Sequence, residues 1–278
     1  MKRDLDILQK VTSFGILSTT ELANFFFQGI ARTTVLKRLR ILEGKKFIKR
    51  VKGLENAELL WSIDQKGAKL IDKEFFKTSW DKKTIDHDLL ISRIRLAFEK
   101  VKLYESWIPE HEIKSRLSQK LSFKEAIKKL IPDGIMNVKL NNKIESIAIE
   151  VELSHKNKNR YERIFREYGR KENLFGIWYF VRSEAIFKML MSDANKYSYE
   201  LKGKKLFISF ADEILKDISK ARIFAYKECF LIKELFPNII NSLAQELAHP
   251  MSNQNFKSCD YKHDSSLLNH TSFMVSAQ

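Results

Sequence analysis

Cysteine is nearly missing from this chain, with only Cys229 and Cys259 in 278 residues. Two thiols make no disulfide framework, and a reducing cytoplasm is the expected home. Also missing is any apolar run of the roughly 18 residues that a membrane span needs. The opening stretch Met1-Lys2-Arg3-Asp4-Leu5-Asp6 alternates charge with apolar side chains and does not read as a signal peptide. No Gly-rich phosphate loop appears, which leaves nucleotide hydrolysis without support. No local motif argues for a Ser-His-Asp triad. Cys259, His263 and His270 are metal-ligand types without paired spacing, so zinc is not expected. Acidic residues are in deficit: 35 Asp and Glu face 50 Lys and Arg, a net charge of +15. That sign favours a polyanionic partner, nucleic acid before membrane.

What is present reads as roughly two domains, at about 100–200 residues each. Leu5, Leu8, Val11 and Phe14 recur at helical spacing. Ser18-Thr19-Thr20-Glu21 has the form of a capping box that opens a second helix through Phe27. Ala31 to Glu43 is a third helix with Val35, Leu36, Leu39 and Leu42 as its buried stripe and Gly44 as its stop. Phe47–Lys52 and Leu59–Asp64 read as strands around a turn. Helix, helix, helix, hairpin is the winged helix-turn-helix order, expected over residues 1–75. The third helix is the candidate reader of the major groove, through Arg32, Thr33, Thr34, Lys37, Arg38 and Arg40. Lys49, Arg50 and Lys52 carry the basic surface into the wing. Double-stranded DNA is the expected partner; a solvated face on a small protein-interaction domain is the bland alternative.

After a linker over 76–84, residues 85–245 read as a second domain, and the polar stretch 246–278 as a tail with little periodicity. A long amphipathic helix, Thr84–Leu103, leads into a strand over Ser106–Ile113 and a basic loop over Ser115–Leu130. Strands follow at Gly134–Leu140, Ile144–Leu153, Leu174–Val181 and Lys205–Phe210. Helices are expected over Lys156–Glu172, Phe187–Tyr197 and most of Asp212–Phe236. Apolar strands alternating with helices give an α/β class (α+β overall), with a mixed sheet covered on both faces.

The chemistry-bearing feature is Ile131-Pro132-Asp133-Gly134 followed by Ile149-Glu150-Val151-Glu152. These stretches put three carboxylates at the ends of two strands that can pair as a hairpin around Asn141-Asn142. Converging carboxylates repel unless positive charge sits among them. Such oxygens suit Mg²⁺ or Mn²⁺, and a metal there activates water against a phosphodiester. Asp133 and Glu150 would bridge the ion; Glu152 or Lys156 would orient or deprotonate the water. The alternative is strand-end acids neutralised by nearby Lys and Arg. In the next helix Arg160 and Arg163 face either DNA backbone or local acids such as Glu162 and Glu167. Tyr161, Phe165 and Tyr168 read as core. His87, His111 and His155 are weaker candidates.

Three features carry a family resemblance: His87-Asp88-Leu89-Leu90 at the start of the long helix, Trp107-Ile108-Pro109-Glu110, and the Pro-Asp-Gly and Glu-Val-Glu pair with Tyr161 and Tyr168 downstream. In this order the chain resembles the replication-relaxation proteins of plasmids and integrative elements, a winged helix followed by a PD-(D/E)xK nuclease-like domain. The resemblance implies Asp133 as the motif's first acid and Glu150 as its second, with Glu152 standing where the motif has Lys. It implies a DNA-binding accessory protein in replication, relaxation or mobilisation, with other replication or mobilisation proteins as partners; a homodimer is common among winged-helix proteins, and nothing in the sequence fixes one. A Mg²⁺-dependent endonuclease and a transcriptional regulator are the rival readings.

Overall fold

The computed structural model describes residues 2–51, 58–73, 82–120, 122, 125, 129–140, 142–154, 158–225 and 228–236. Helix α1 (Lys2–Phe14) buries Ile7, Leu8, Val11 and Phe14; Ile7 takes the place expected for Leu5. A two-residue strand β1 (Leu17–Ser18) precedes α2 (Thr19–Phe26). The capping box forms: the Glu21 amide donates to Ser18 Oγ at 3.1 Å and the Ser18 amide to Glu21 Oε2 at 2.6 Å. Helix α3 (Arg32–Gly44) buries Val35, Leu39 and Leu42. It ends at Gly44, the expected stop. The chain reverses at Lys46, whose φ is +60°. The Phe47 amide donates to Leu42 O and the Lys46 amide to Glu43 O, which answers the orphan carbonyls in a Schellman arrangement.

Strands β2 (Ile48–Val51) and β3 (Leu60–Ile63) pair antiparallel, Arg50 opposite Trp61. β1 adds to the other edge of β3, Leu17 opposite Trp61. That third strand had no sequence signal, being too short for periodicity. Helix α4 (Gln65–Leu70) closes the segment. The expected turn at 53–56, with Lys52, and most of the expected linker lie outside the described residues.

Helix α5 (Lys82–Lys100) then runs to β4 (Ser106–Pro109) and α6 (Glu110–Ser118). The strand expected to reach Ile113 ends four residues early. Pro109 caps α6, and Glu110 and Glu112 sit in its first turn, where the helix dipole favours acids. Next come β5 (Gly134–Leu140), β6 (Lys143–Glu152), α7 (Lys158–Gly169), β7 (Gly176–Val181), α8 (Glu184–Lys196) and β8 (Lys205–Phe210). The remainder is α9 (Ala211–Lys216), the hairpin β9 (Arg222–Ala225) and β10 (Glu228–Leu231), and α10 (Ile232–Leu235). A mostly helical Asp212–Phe236 was expected. Pairing of Phe207 with Ala225 and Ile208 with Phe224 draws that segment into the sheet instead, a tertiary demand that overrides local propensity.

The seven strands lie in the order β10-β9-β8-β7-β6-β5-β4. β6, β7 and β8 are parallel neighbours and the other pairs antiparallel, so the large sheet is mixed. Strand β7 is buried along its whole length, and its side chains alternate between two cores. Trp178 and Phe180 pack with Leu90, Ile94 and Phe98 of α5 and Ile214 of α9. Ile177, Tyr179 and Val181 pack with Tyr161, Phe165 and Tyr168 of α7 and Leu190 of α8.

Helix α5 belongs to both ends of the chain. Its Leu96 joins the core made by α1, α2 and α3, and Ile85 and Leu89 pack with Ile16 and Leu60. Ser92 Oγ donates to Phe14 O at 3.0 Å, and Arg95 reaches Ser13 O and Oγ at 2.5 and 2.7 Å. Its apolar residues are divided between these cores. Among the described residues no helix is long and apolar enough to cross a membrane.

Candidate functional site

The hairpin register places the acids. Gly134 pairs with Ile149, so Asp133, one residue before β5, lies beside Glu150. Gly134 also leaves room for β4: a Cβ there would come within 2.9 Å of the Trp107 indole. The Val151 amide donates to Asp133 Oδ2 at 2.7 Å, continuing the ladder with a side chain. Alternation along β6 turns Glu150 and Glu152 to the face that α7 covers. Both are buried, 8% and 2% exposed, which demands hydrogen-bond donors. Helix α7 supplies them. Tyr161 Oη donates to Glu152 Oε2 at 2.9 Å, and Tyr168 Oη donates to Glu150. Two helical turns separate the tyrosines, so they stand on one face.

Tyr179 on β7 lies opposite Glu150. Its hydroxyl is buried with no hydrogen-bond partner among the described residues. Burial, and then the Glu150 charge, push the Tyr168 and Tyr179 phenols well above their ordinary range. Both stay protonated, and Tyr168 donates to Glu150.

His87 of α5 completes the group. Its Nε2 lies 3.2 Å from Asp133 Oδ2 and its Nδ1 lies 3.0 Å from Asp88 Oδ1. Burial disfavours the charged ring, but the hydrogen bonds and charges of Asp133 and Asp88 prevail and raise its pKa to about 10. Burial also raises the Glu110 carboxyl, against Lys114 at 2.6 Å. Lys171 Nζ donates to Leu130 O at 2.8 Å; burial lowers its pKa while the Glu150 charge opposes that shift.

Asp133, Glu150 and Glu152 thus occupy nearby positions at one end of the sheet. Lys156 and His155, expected beside them, lie outside the described residues. Each of the three acids accepts from a donor of the chain itself. Mg²⁺ asks for near-octahedral oxygens at roughly 2.0–2.1 Å. Among the described residues no group of three or more His, Cys, Asp or Glu is placed to hold a metal ion. The arrangement therefore fits a divalent ion poorly. In the sequence Tyr161 and Tyr168 read as core, Asp88 appears only within His87-Asp88-Leu89-Leu90, and Tyr179 carries no role of its own. The available signal was a pair of tyrosines seven apart on a helix, downstream of two acids two apart on a strand.

The basic surface is distributed unevenly. Arg32, Thr33, Thr34, Lys37 and Arg40 are exposed on α3. Arg38 turns back to α1, where it holds both carboxylate oxygens of Asp4, Nε to Oδ1 at 2.9 Å. Arg50 Nε donates to Glu43 at 2.7 Å, and Lys49 is half-buried. On α7, Arg160 and Arg163 are exposed. Their neighbours Arg166 and Arg170 pair with Glu162 at 2.6 Å and Glu167 at 2.8 Å.

These features define a mixed α/β protein with a large mixed sheet, an acid cluster at one sheet end and cationic helix faces. The chain matches no protein-family model, and no curated protein matches it.

Proposed function

We propose that this chain is a DNA-binding accessory protein of a plasmid or other mobile element, of the replication-relaxation type. On this reading residues 1–75 form a winged helix-turn-helix that docks on duplex DNA. The following domain is PD-(D/E)xK-like and contacts the DNA backbone through Arg160 and Arg163. The observation that carries the reading is the exposed face of α3, where Arg32, Lys37 and Arg40 stand with Thr33 and Thr34. This helix follows a capped α2 and leads into a hairpin, the order in which a recognition helix enters the major groove. The element order α5-β4-β5-β6-α7-β7, with acids on neighbouring strands, supports the nuclease-like reading of the second part. The net charge of +15 supports a polyanionic partner.

Binding to duplex DNA is expected to fall steeply with salt. Lys37→Ala with Arg40→Ala is expected to reduce the slope of log affinity against log salt by about two. A gel-shift titration over a salt series checks this, and an unchanged slope places the duplex elsewhere. Arg38 is unsuited to the test, because removing it breaks the tie to Asp4.

One observation favours the endonuclease reading: the buried Tyr179 hydroxyl, with no hydrogen-bond partner among the described residues, lies opposite Glu150. Supercoiled-plasmid nicking with and without Mg²⁺ separates the two readings. Nicking that is lost in both Asp133→Ala and Glu150→Ala would establish the enzyme.

A further inference from the structure

We infer that α3 selects thymine-bearing duplex through methyl contacts in the major groove, with Thr33 and Ile41 as the reading side chains. The inference deepens the DNA-binding reading and rests on it. Its basis is the sorting of α3 into faces. Val35, Leu39 and Leu42 are buried. Arg38, on the flank, is held by Asp4 of α1. Thr33, Lys37, Arg40, Ile41 and Gly44 are exposed. At about 100° per residue these five fall within one arc opposite the buried stripe. Thr33, Lys37 and Ile41, four residues apart, stand on successive turns of that arc.

Charge alone does not account for this arc. Arg32, at the helix start, is engaged by Thr20 Oγ1 at 3.2 Å and Glu58 at 3.8 Å, and Arg50 in the wing donates to Glu43. Lys37 and Arg40 have no ion pair among the described residues. Between these two cations and beside them stand side chains that offer methyl groups. Ile41 is 39% exposed, and Ile30, just ahead of the N-cap Ala31, is 47% exposed. An isoleucine in water among cations suits a surface with anions at its rims and methyls on its floor. The major groove is such a surface: thymine carries a 5-methyl there, and apolar side chains or threonine methyls read it. Lys37 and Arg40 on the flanking phosphates fix position without selecting bases. Gly44 adds no side chain at the end of the arc, and a Cβ there would meet no atom within 4 Å. That end of α3 is therefore open to close approach.

Selection of bound duplexes from a random-sequence library on the full chain, with an enriched duplex then remade with uracil for thymine, tests this. Uracil lacks the 5-methyl and keeps the hydrogen-bonding edge. The wild type is expected to bind the uracil duplex about fourfold more weakly for each methyl it meets, the partition of one buried methyl group. Thr33→Ser with Ile41→Ala is expected to bind both duplexes alike. The salt slope of that double variant is expected to stay at the wild-type value, since neither change removes a charge. Equal binding of the two duplexes by the wild type overturns the inference, as does discrimination that survives in the double variant. A library bound without enrichment overturns it too, because backbone contacts then carry the binding. The wild-type comparison involves no substitution, so it decides even where the double variant is unstable. Binding to no duplex at all refutes the DNA-binding reading and this inference with it; every other contrary result leaves that reading intact.

Discussion

At the scale of single residues, the buried acids set the stakes. A carboxylate out of water costs several kcal/mol unless donors meet it. Tyr168 and Tyr161 are those donors for Glu150 and Glu152. Tyr168→Phe is expected to destabilise the fold by about 1.5–3 kcal/mol, the range for a hydrogen bond to a charged group. Tyr179→Phe removes a hydroxyl that has no partner among the described residues, and is expected to cost little or to stabilise. Urea unfolding of the two variants checks the contrast, and a larger loss in Tyr179→Phe would reverse the assignment. None of this is legible residue by residue in the sequence, where the three tyrosines look like ordinary core aromatics. Their hydroxyls acquire a role only when strand alternation turns two glutamates toward the same helix.

At the scale of elements, the legible parts were those with strong local signals. The capping box of α2 formed where Ser18 and Glu21 announce it, and the stripe of α3 buried Val35, Leu39 and Leu42. Strand ends were harder. Trp107-Ile108 and Ile113 suggest one long strand, but Pro109 and two acids make a better helix start. β9 and β10 were read as helix because β9 finds its partner β8 on the far side of α9, and β10 follows by pairing with β9. The tie of α1 to α3 was also hidden. Arg38 holds the Asp4 carboxyl below its ordinary 3.8, against the opposing effect of burial. A depressed carboxyl stabilises the folded chain above its unfolded pKa, and that contribution is lost as pH falls through the folded value. Arg38→Ala is expected to cost about 0.5–1 kcal/mol at neutral pH, for a pair this exposed. The difference from wild type should shrink toward zero as the solution is acidified below the ordinary carboxyl range. A difference in urea midpoint that persists at low pH would show that Arg38 acts otherwise.

At the scale of the whole molecule, α5 decides how the parts behave together. Its Leu96 lies in one core while Leu90, Ile94 and Phe98 lie in another. The Arg95 guanidinium sits 4.0 Å over the Phe14 ring and 5.6 Å over the Trp107 ring, touching α1 and β4 at once. The chain is therefore expected to melt in one cooperative transition, and Arg95→Ala to separate or lower part of it. Scanning calorimetry checks this; two resolved transitions in the wild type would mean the cores unfold independently. The sequence by itself determined the helix caps, the apolar spacing, the alternation along β6 and the surplus of positive charge, because each depends on near neighbours in the chain. Only the tertiary structure decided that His87 meets Asp133, that tyrosines answer Glu150 and Glu152, that Arg38 turns inward and that α5 joins two cores. Those outcomes depend on strand register and on which helix covers which face, quantities fixed by packing across long stretches of chain.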